Sequence, residues 1–169
     1  MSTWGKNYPG EEPKKSWTIH EAKGKLETFC AYQERCQWDV RRKLFEKGIH
    51  GEAQEELIAG LISDGFLNEE RFARAFARGK FRLKRWGKSR ISRELGMRQI
   101  SKRCIQLGLS EIDLEEYAET LQREVEKKWL STKEPNLSIK KYKVIQYLLS
   151  RGFEQDLIQD ALEMIQSQQ

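Results

Sequence analysis

Five arginines, Arg71, Arg74, Arg78, Arg82 and Arg85, follow one another at steps of three, four, four and three. At 100° per residue, that spacing puts all five side chains on one stripe of a single helix. A second stripe on the same segment, Phe72, Phe76, Gly79, Leu83 and Trp86, steps by four, three, four and three and is the expected core face, about 120° away. Solvated helix faces usually alternate lysine with glutamate and gain from the pairs, whereas like charges one turn apart repel by a few tenths of a kcal/mol each. Something must offset an all-arginine stripe. The planar guanidinium fork binds carboxylate or phosphate in bidentate fashion, so the chemistry it suits is recognition of an anionic partner. The bland alternative is an ordinary solvated face.

The stripe continues through Lys88, Arg90, Arg93, Arg98, Lys102 and Arg103, which complete the candidate partner- and DNA-binding set. Residues 71 to 103 carry thirteen Lys/Arg against one Asp/Glu, while the segments before and after carry ten against thirteen and eight against twelve. A single-sign block of that density draws anions to the middle of the chain whatever the net charge of +5. Of the aromatics there, only Phe81 falls near the arginine side, so base stacking and sequence-specific single-strand reading are not expected from this segment. If the stripe is a binding surface, replacing Arg74 and Arg78 by glutamate weakens partner binding and leaves thermal stability nearly unchanged.

Other chemistry is sparse. His20 and His50 have no Asp or Cys at a spacing that suggests a triad or a metal site. Cys30, Cys36 and Cys104 are an odd count without a Cys-x-x-Cys step, which reads as reduced thiols. The carboxylate pairs Glu55-Glu56, Glu69-Glu70 and Glu115-Glu116 fit helix starts or exposed faces. Trp38, Trp86 and Trp129 read as packing residues at unit junctions. No Gly-rich phosphate loop is present. A non-enzymatic chain with no cofactor and no metal is expected.

The elements that position the stripe are helices. Thr18 with Glu21, and Ser110 with Asp113, have capping-box spacing, and Asn68 is a good cap before Glu69 and Glu70. Gly48, Gly65 and Gly152 close periodic stretches where a left-handed residue is wanted. One apolar frame, plus four and plus five, occurs three times: Val40, Leu44, Ile49; Ile91, Leu95, Ile100; Val144, Leu148, Phe153. Each copy follows a longer amphipathic stretch and leads into another. The reading is all-α: an elongated tandem array of three three-helix repeats at 18–66, 67–112 (the basic, central one) and 113–169, after a disordered tail at 1–17. No apolar run approaches the ~18 residues that would span a bilayer and no secretory signal is visible, so a cytoplasmic monomer without membrane contact is expected.

Gly65-Phe66-Leu67-Asn68-Glu69-Glu70-Arg71-Phe72-Ala73, then a basic helix, Trp86-Gly87 and the Ile-x-x-Glu-Leu segment Ile91 to Leu95, resembles the central signature of the RecX regulatory proteins. The resemblance spans roughly Ile19 to Ile165. It implies a three-domain helical regulator that binds the RecA recombinase filament on DNA. By the same resemblance the regulator modulates, usually by inhibition, recombination and ATP hydrolysis in DNA repair, homologous recombination and the SOS response. Direct contact with single- or double-stranded DNA is then expected to be weak and not sequence-specific. Two departures stand out: Asn68 where the family commonly has Asp, and Met97-Arg98-Gln99 before Ile100 where a glycine is usual. From the residues alone, a stand-alone DNA- or RNA-binding helical protein is the alternative.

Overall fold

The computed structural model describes residues 15–167. Among these, the chain forms nine helices and no strand: α1 Ile19–Tyr32, α2 Gln37–Glu46, α3 Gly51–Ser63, α4 Glu69–Lys84, α5 Lys88–Met97, α6 Lys102–Leu109, α7 Leu114–Ser131, α8 Leu137–Arg151 and α9 Gln155–Ser167. They divide into two compact units, Met1–Asn68 and Glu69–Gln169. Most of the expected tail, residues 1–14, lies outside the described residues; Trp17 packs against the core of the first unit and its N–H donates to the Lys47 carbonyl.

The frame found three times in the sequence corresponds to one backbone device made three times. Its nine apolar members are all buried. In each copy the last residue donates its N–H to the carbonyl five positions back: Ile49 to Leu44 (3.0 Å), Ile100 to Leu95 (3.1 Å) and Phe153 to Leu148 (3.2 Å). Closing a helix this way needs a left-handed residue just before the donor. Gly48 (φ 82) and Gly152 (φ 92) supply it in the outer copies, and Gln99 (φ 60) supplies it in the middle one. A residue with a Cβ in that conformation costs about 1 kcal/mol relative to glycine. The middle turn therefore has the same shape as the others, at some expense.

In the first unit, Ala22, Leu26, Cys30, Val40, Leu44, Ile49, Ile58, Leu61 and Leu67 form the core of α1 to α3. The Thr18–Glu21 capping box starts α1 as expected. Cys36 and Asp39 start α2, and burial pushes the Cys36 thiol up to about 11, so it stays protonated. Arg41 grips the Glu55 carboxylate with two donors at 3.0 and 2.9 Å, tying α2 to α3.

In the second unit, α4 lies across α6 so closely that a Cβ on Gly108 would come within 2.7 Å of the Ala73 carbonyl oxygen. Three donors at the start of α5 are accepted by groups of α7 and α8. Gly87 N–H reaches the Arg151 carbonyl (2.9 Å), Lys88 N–H the Tyr117 hydroxyl (3.0 Å) and Ser89 N–H the Gly152 carbonyl (3.1 Å). The first N–H groups of a helix have no partner within it, so α5 is capped by the two helices that follow α6. Beside these bonds, the Tyr117 ring sits between Phe81 (5.6 Å) and Phe153 (5.5 Å), and its hydroxyl donates to Glu154 at 2.6 Å.

This packing corrects two expectations about α4. Phe81, placed near the arginine side, is 1% exposed, and Leu83, placed in the core stripe, is 82% exposed. The buried face of α4 is Phe72, Ala73, Ala77 and Phe81. It drifts around the helix because its first half meets α6 and its second half meets α7. A cap also moves: Asp113 itself caps α7, accepting from Glu116 N–H, while Ser110 ends α6.

Candidate nucleic-acid and partner interface

The arginine stripe on α4 does not stand free in solvent along its length. Arg74 donates to Glu111 at 2.6 Å, to Glu70 at 2.9 Å and to the Leu107 carbonyl at 3.4 Å. Arg78 takes the other oxygen of Glu111 at 2.8 Å. Arg82 lies 3.5 Å from Glu116. The Glu111 side chain is 23% exposed, and the hydrogen bonds from Arg78 and then Arg74 hold its carboxyl below the usual carboxylate range. Part of the cost of the like-charged stripe is thus offset inside the protein, by carboxylates that follow α6 and begin α7. The expectation that charge reversal at Arg74 and Arg78 leaves stability nearly unchanged is corrected accordingly. Glutamates there would face Glu70 and Glu111.

The remaining candidates divide in the same way. Arg98 pairs with Glu94 at 3.1 Å and lies over the Phe76 ring. Arg90 stacks on Trp86 at 4.0 Å and donates to the Ser150 carbonyl at 3.4 Å, and Lys88 lies over Tyr117. Arg71 is exposed near the start of α4. Arg85, in a left-handed conformation (φ 55) just past α4, is exposed as well. Arg85, Arg93, Lys102 and Arg103 are exposed and enter no ion pair among the described residues. Lys102 and Arg103 stand in the first turn of α6, where the helix dipole disfavours cations by roughly 0.3–1 kcal/mol each. Glu69, accepting from Ser101 N–H at 2.9 Å and from its hydroxyl at 3.2 Å, offsets part of this. The arrangement therefore offers anions a smaller set than the sequence suggested, centred on α5 and the start of α6.

Sequence reasoning missed the groups that organise this region. Glu111 lies 33 and 37 positions from its arginine partners, beyond the reach of helical periodicity. Glu69 and Glu116, read as helix-start acids, are also crosslinks to α6 and α4. Gly87 was noticed only as part of a motif; the available signal was a glycine directly before a helix that has no side-chain cap. Among the described residues no cluster of His, Cys, Asp and Glu could hold a metal ion, and both histidines are exposed. All three cysteines are free thiols, and no described helix is long and apolar enough to cross a membrane.

Residues 68–109 match the second three-helix domain of RecX, and residues 115–162 match the third. The regulatory protein RecX of Pelodictyon phaeoclathratiforme is 32% identical over 127 residues, covering 75% of this chain and 78% of that protein. The chain belongs to the RecX family. Another RecX, from Lactobacillus johnsonii, is 29% identical over 130 residues, and the match covers only 48% of its length. The chain thus spans about half the length of that relative. The crystal structure of RecX from Lactobacillus salivarius superposes with a TM-score of 0.74 at 22% identity, covering 88% of this chain and 96% of that one. A second RecX crystal structure gives a TM-score of 0.77 at 20% identity, covering 86% and 73%. At that level of identity the two structures speak for the fold alone. The RecX relatives carry the name of regulatory proteins.

Proposed function

We propose that this protein binds the RecA recombinase filament on DNA and modulates its recombination and ATP hydrolysis, by inhibition, without catalysing a reaction of its own. The observation that carries the reading is the set of exposed cations on α5 and at the start of α6 that enter no ion pair among the described residues, in a chain of the RecX family. A protein filament on DNA offers carboxylates and nucleic-acid phosphates, and a guanidinium recognises either. A weak contact of one three-helix domain adds to that of the next through effective concentration, so no single site has to be strong. DNA alone is held weakly and without sequence preference, because phosphate contacts carry no base information.

The deciding experiment measures DNA-dependent ATP hydrolysis and strand exchange by the cognate recombinase with increasing amounts of this protein. Both rates fall as it approaches the recombinase in concentration. Unchanged rates at stoichiometric excess refute the reading. If the chain also binds bare DNA as tightly as it binds filaments in a pull-down, a stand-alone nucleic-acid-binding protein replaces it.

A further inference from the structure

The first unit carries a groove that the basic middle of the chain does not account for. It is open, with a volume of about 760 Å³, and is lined by Trp17, His20, Glu21, Gly24, Lys25, Thr28, Phe29, Tyr32 and Lys43. Its walls combine two chemistries. Trp17 and Phe29 are partly buried against the core of α1 to α3, so their rings are held in place, while Tyr32 is 84% exposed with no core to join. Around the fixed rings stand cations. The ammonium groups of Lys25, Lys47 and Lys43 lie 5.2, 5.5 and 6.0 Å from the Trp17 ring centre, and Lys43 and Arg35 lie 5.7 and 4.0 Å from that of Phe29. Among the described residues the one carboxylate in the lining, Glu21, is engaged by the backbone N–H and hydroxyl of Thr18.

Gly24 is the second observation. It sits in the interior of α1, where glycine is the least favourable residue apart from proline. A Cβ there would meet nothing within 4 Å, so no packing contact among the described residues requires its absence. What the missing side chain does is leave the floor of the groove open between His20 and Thr28.

From these features we infer that this groove binds a segment of single-stranded nucleic acid, with one base against the fixed Trp17 and Phe29 rings, a second on the exposed Tyr32 ring, and its phosphates among Lys25, Lys43 and Lys47. Fixed aromatic faces beside a cationic track are what single strands need, because their bases are free to stack and every base offers a π-face. A duplex keeps its bases paired and can use only the lysines. An acidic peptide can use the cations but gains nothing from the rings. The volume lies within the range of small-ligand pockets and is large enough for a nucleotide. The inference concerns the first unit and does not rest on the recombinase reading, whose test leaves it untouched.

The test uses the full chain and an oligothymidylate bearing 5-iododeoxyuridine. Ultraviolet crosslinking followed by mass spectrometry is expected to place an adduct on Trp17 or Tyr32. Tyr32→Ala, at an exposed position, and separately Lys25→Gln with Lys43→Gln, each weaken binding of the oligothymidylate about tenfold, a size typical of losing one stacked base or a pair of phosphate contacts. Affinity for a duplex of equal length changes less than twofold with Tyr32→Ala, and its circular-dichroism melting curve is unchanged. Adducts confined to residues 88–103, with binding by Tyr32→Ala intact, overturn the inference. So does displacement of the oligomer from the adduct site by polyglutamate as effectively as by unlabelled oligothymidylate, since the groove would then be reading charge alone. ATP binding as tightly as the oligomer overturns the assignment to a strand.

Discussion

Replacing Arg93, Lys102 and Arg103 by glutamine removes three exposed cations that enter no ion pair among the described residues, and the consequence for DNA binding can be worked out. Each Lys or Arg that neutralises a duplex phosphate adds about 0.9 to the slope of log K against log salt, and about 0.7 on a single strand. If all three reach phosphates, the triple substitution lowers the slope by about 2.7 on a duplex and about 2.1 on a single strand. Between 1 M and 0.1 M salt, a slope difference of about 2.7 is close to 500-fold in affinity, which is the upper limit for the effect at 0.1 M. The matched control is Arg74→Gln with Arg78→Gln. Those guanidinium groups already engage Glu111 at 2.6 and 2.8 Å, so their removal changes the slope by less than about 1. It lowers the melting temperature instead, because Glu111 loses both partners. The assay is fluorescence anisotropy with a labelled duplex and a labelled single strand across about 50 to 300 mM salt, a range in which phosphate contacts dominate. Equal slope changes in the two variants would refute the division into internally paired and outward-facing cations. A larger change in the Arg74/Arg78 variant would reverse it.

Three further outcomes follow from the packing of the second unit. Gly87→Ala puts a Cβ into the backbone of Gly152 and Phe153, so the start of α5 must withdraw from α8. With overpacking and two lost hydrogen bonds, the cost is about 3–5 kcal/mol by urea unfolding, and a loss under about 0.5 kcal/mol would show that the contact is not tight. Tyr117→Phe removes both the bond to Glu154 and the acceptor for Lys88 N–H, and should destabilise by about 2–4 kcal/mol in the same assay; an unchanged midpoint would contradict the hydrogen-bonding role. Because the folded state holds Glu111 below its ordinary pKa, its contribution is present above the ordinary carboxylate range and is lost as pH falls through the lowered value. Melting temperatures recorded from neutral pH downward should therefore fall less steeply for Glu111→Gln than for the parent, and parallel curves would count against the linkage.

How much was legible in the sequence depends on the distance over which each feature is decided. The frame of Val40, Leu44 and Ile49 and its two later copies could be read because a helix end is decided within six or seven residues. It holds even where Gln99 replaces the usual glycine, since Ile100 still closes onto Leu95. The faces of α4 were half legible. A single periodic stripe presumes one neighbour, whereas Ala73 serves the contact with α6 and Phe81 serves Tyr117, so the buried face turns and Leu83 is left outside. The capping of α5 by Arg151, Tyr117 and Gly152 was not legible at all, because its partners lie 29 or more positions away.

The same distinction governs the site. A run of like charges on a helix establishes that some compensator exists, and it cannot say whether that compensator is the protein itself or something it binds. For Arg74, Arg78 and Arg82 the compensator is internal, Glu111 and Glu116, and the stripe there helps to hold α4 against the chain that follows α6. For Arg93, Lys102 and Arg103 no ion pair forms within the described residues, although the last two stand where a helix dipole opposes them. Their cost is the part left for a ligand to offset. That shifts the centre of any anion-binding surface from the five arginines of α4 to α5 and the first turn of α6, and it makes the number of arginines in a stripe a poorer guide to binding than the number left over once the fold has used its own carboxylates.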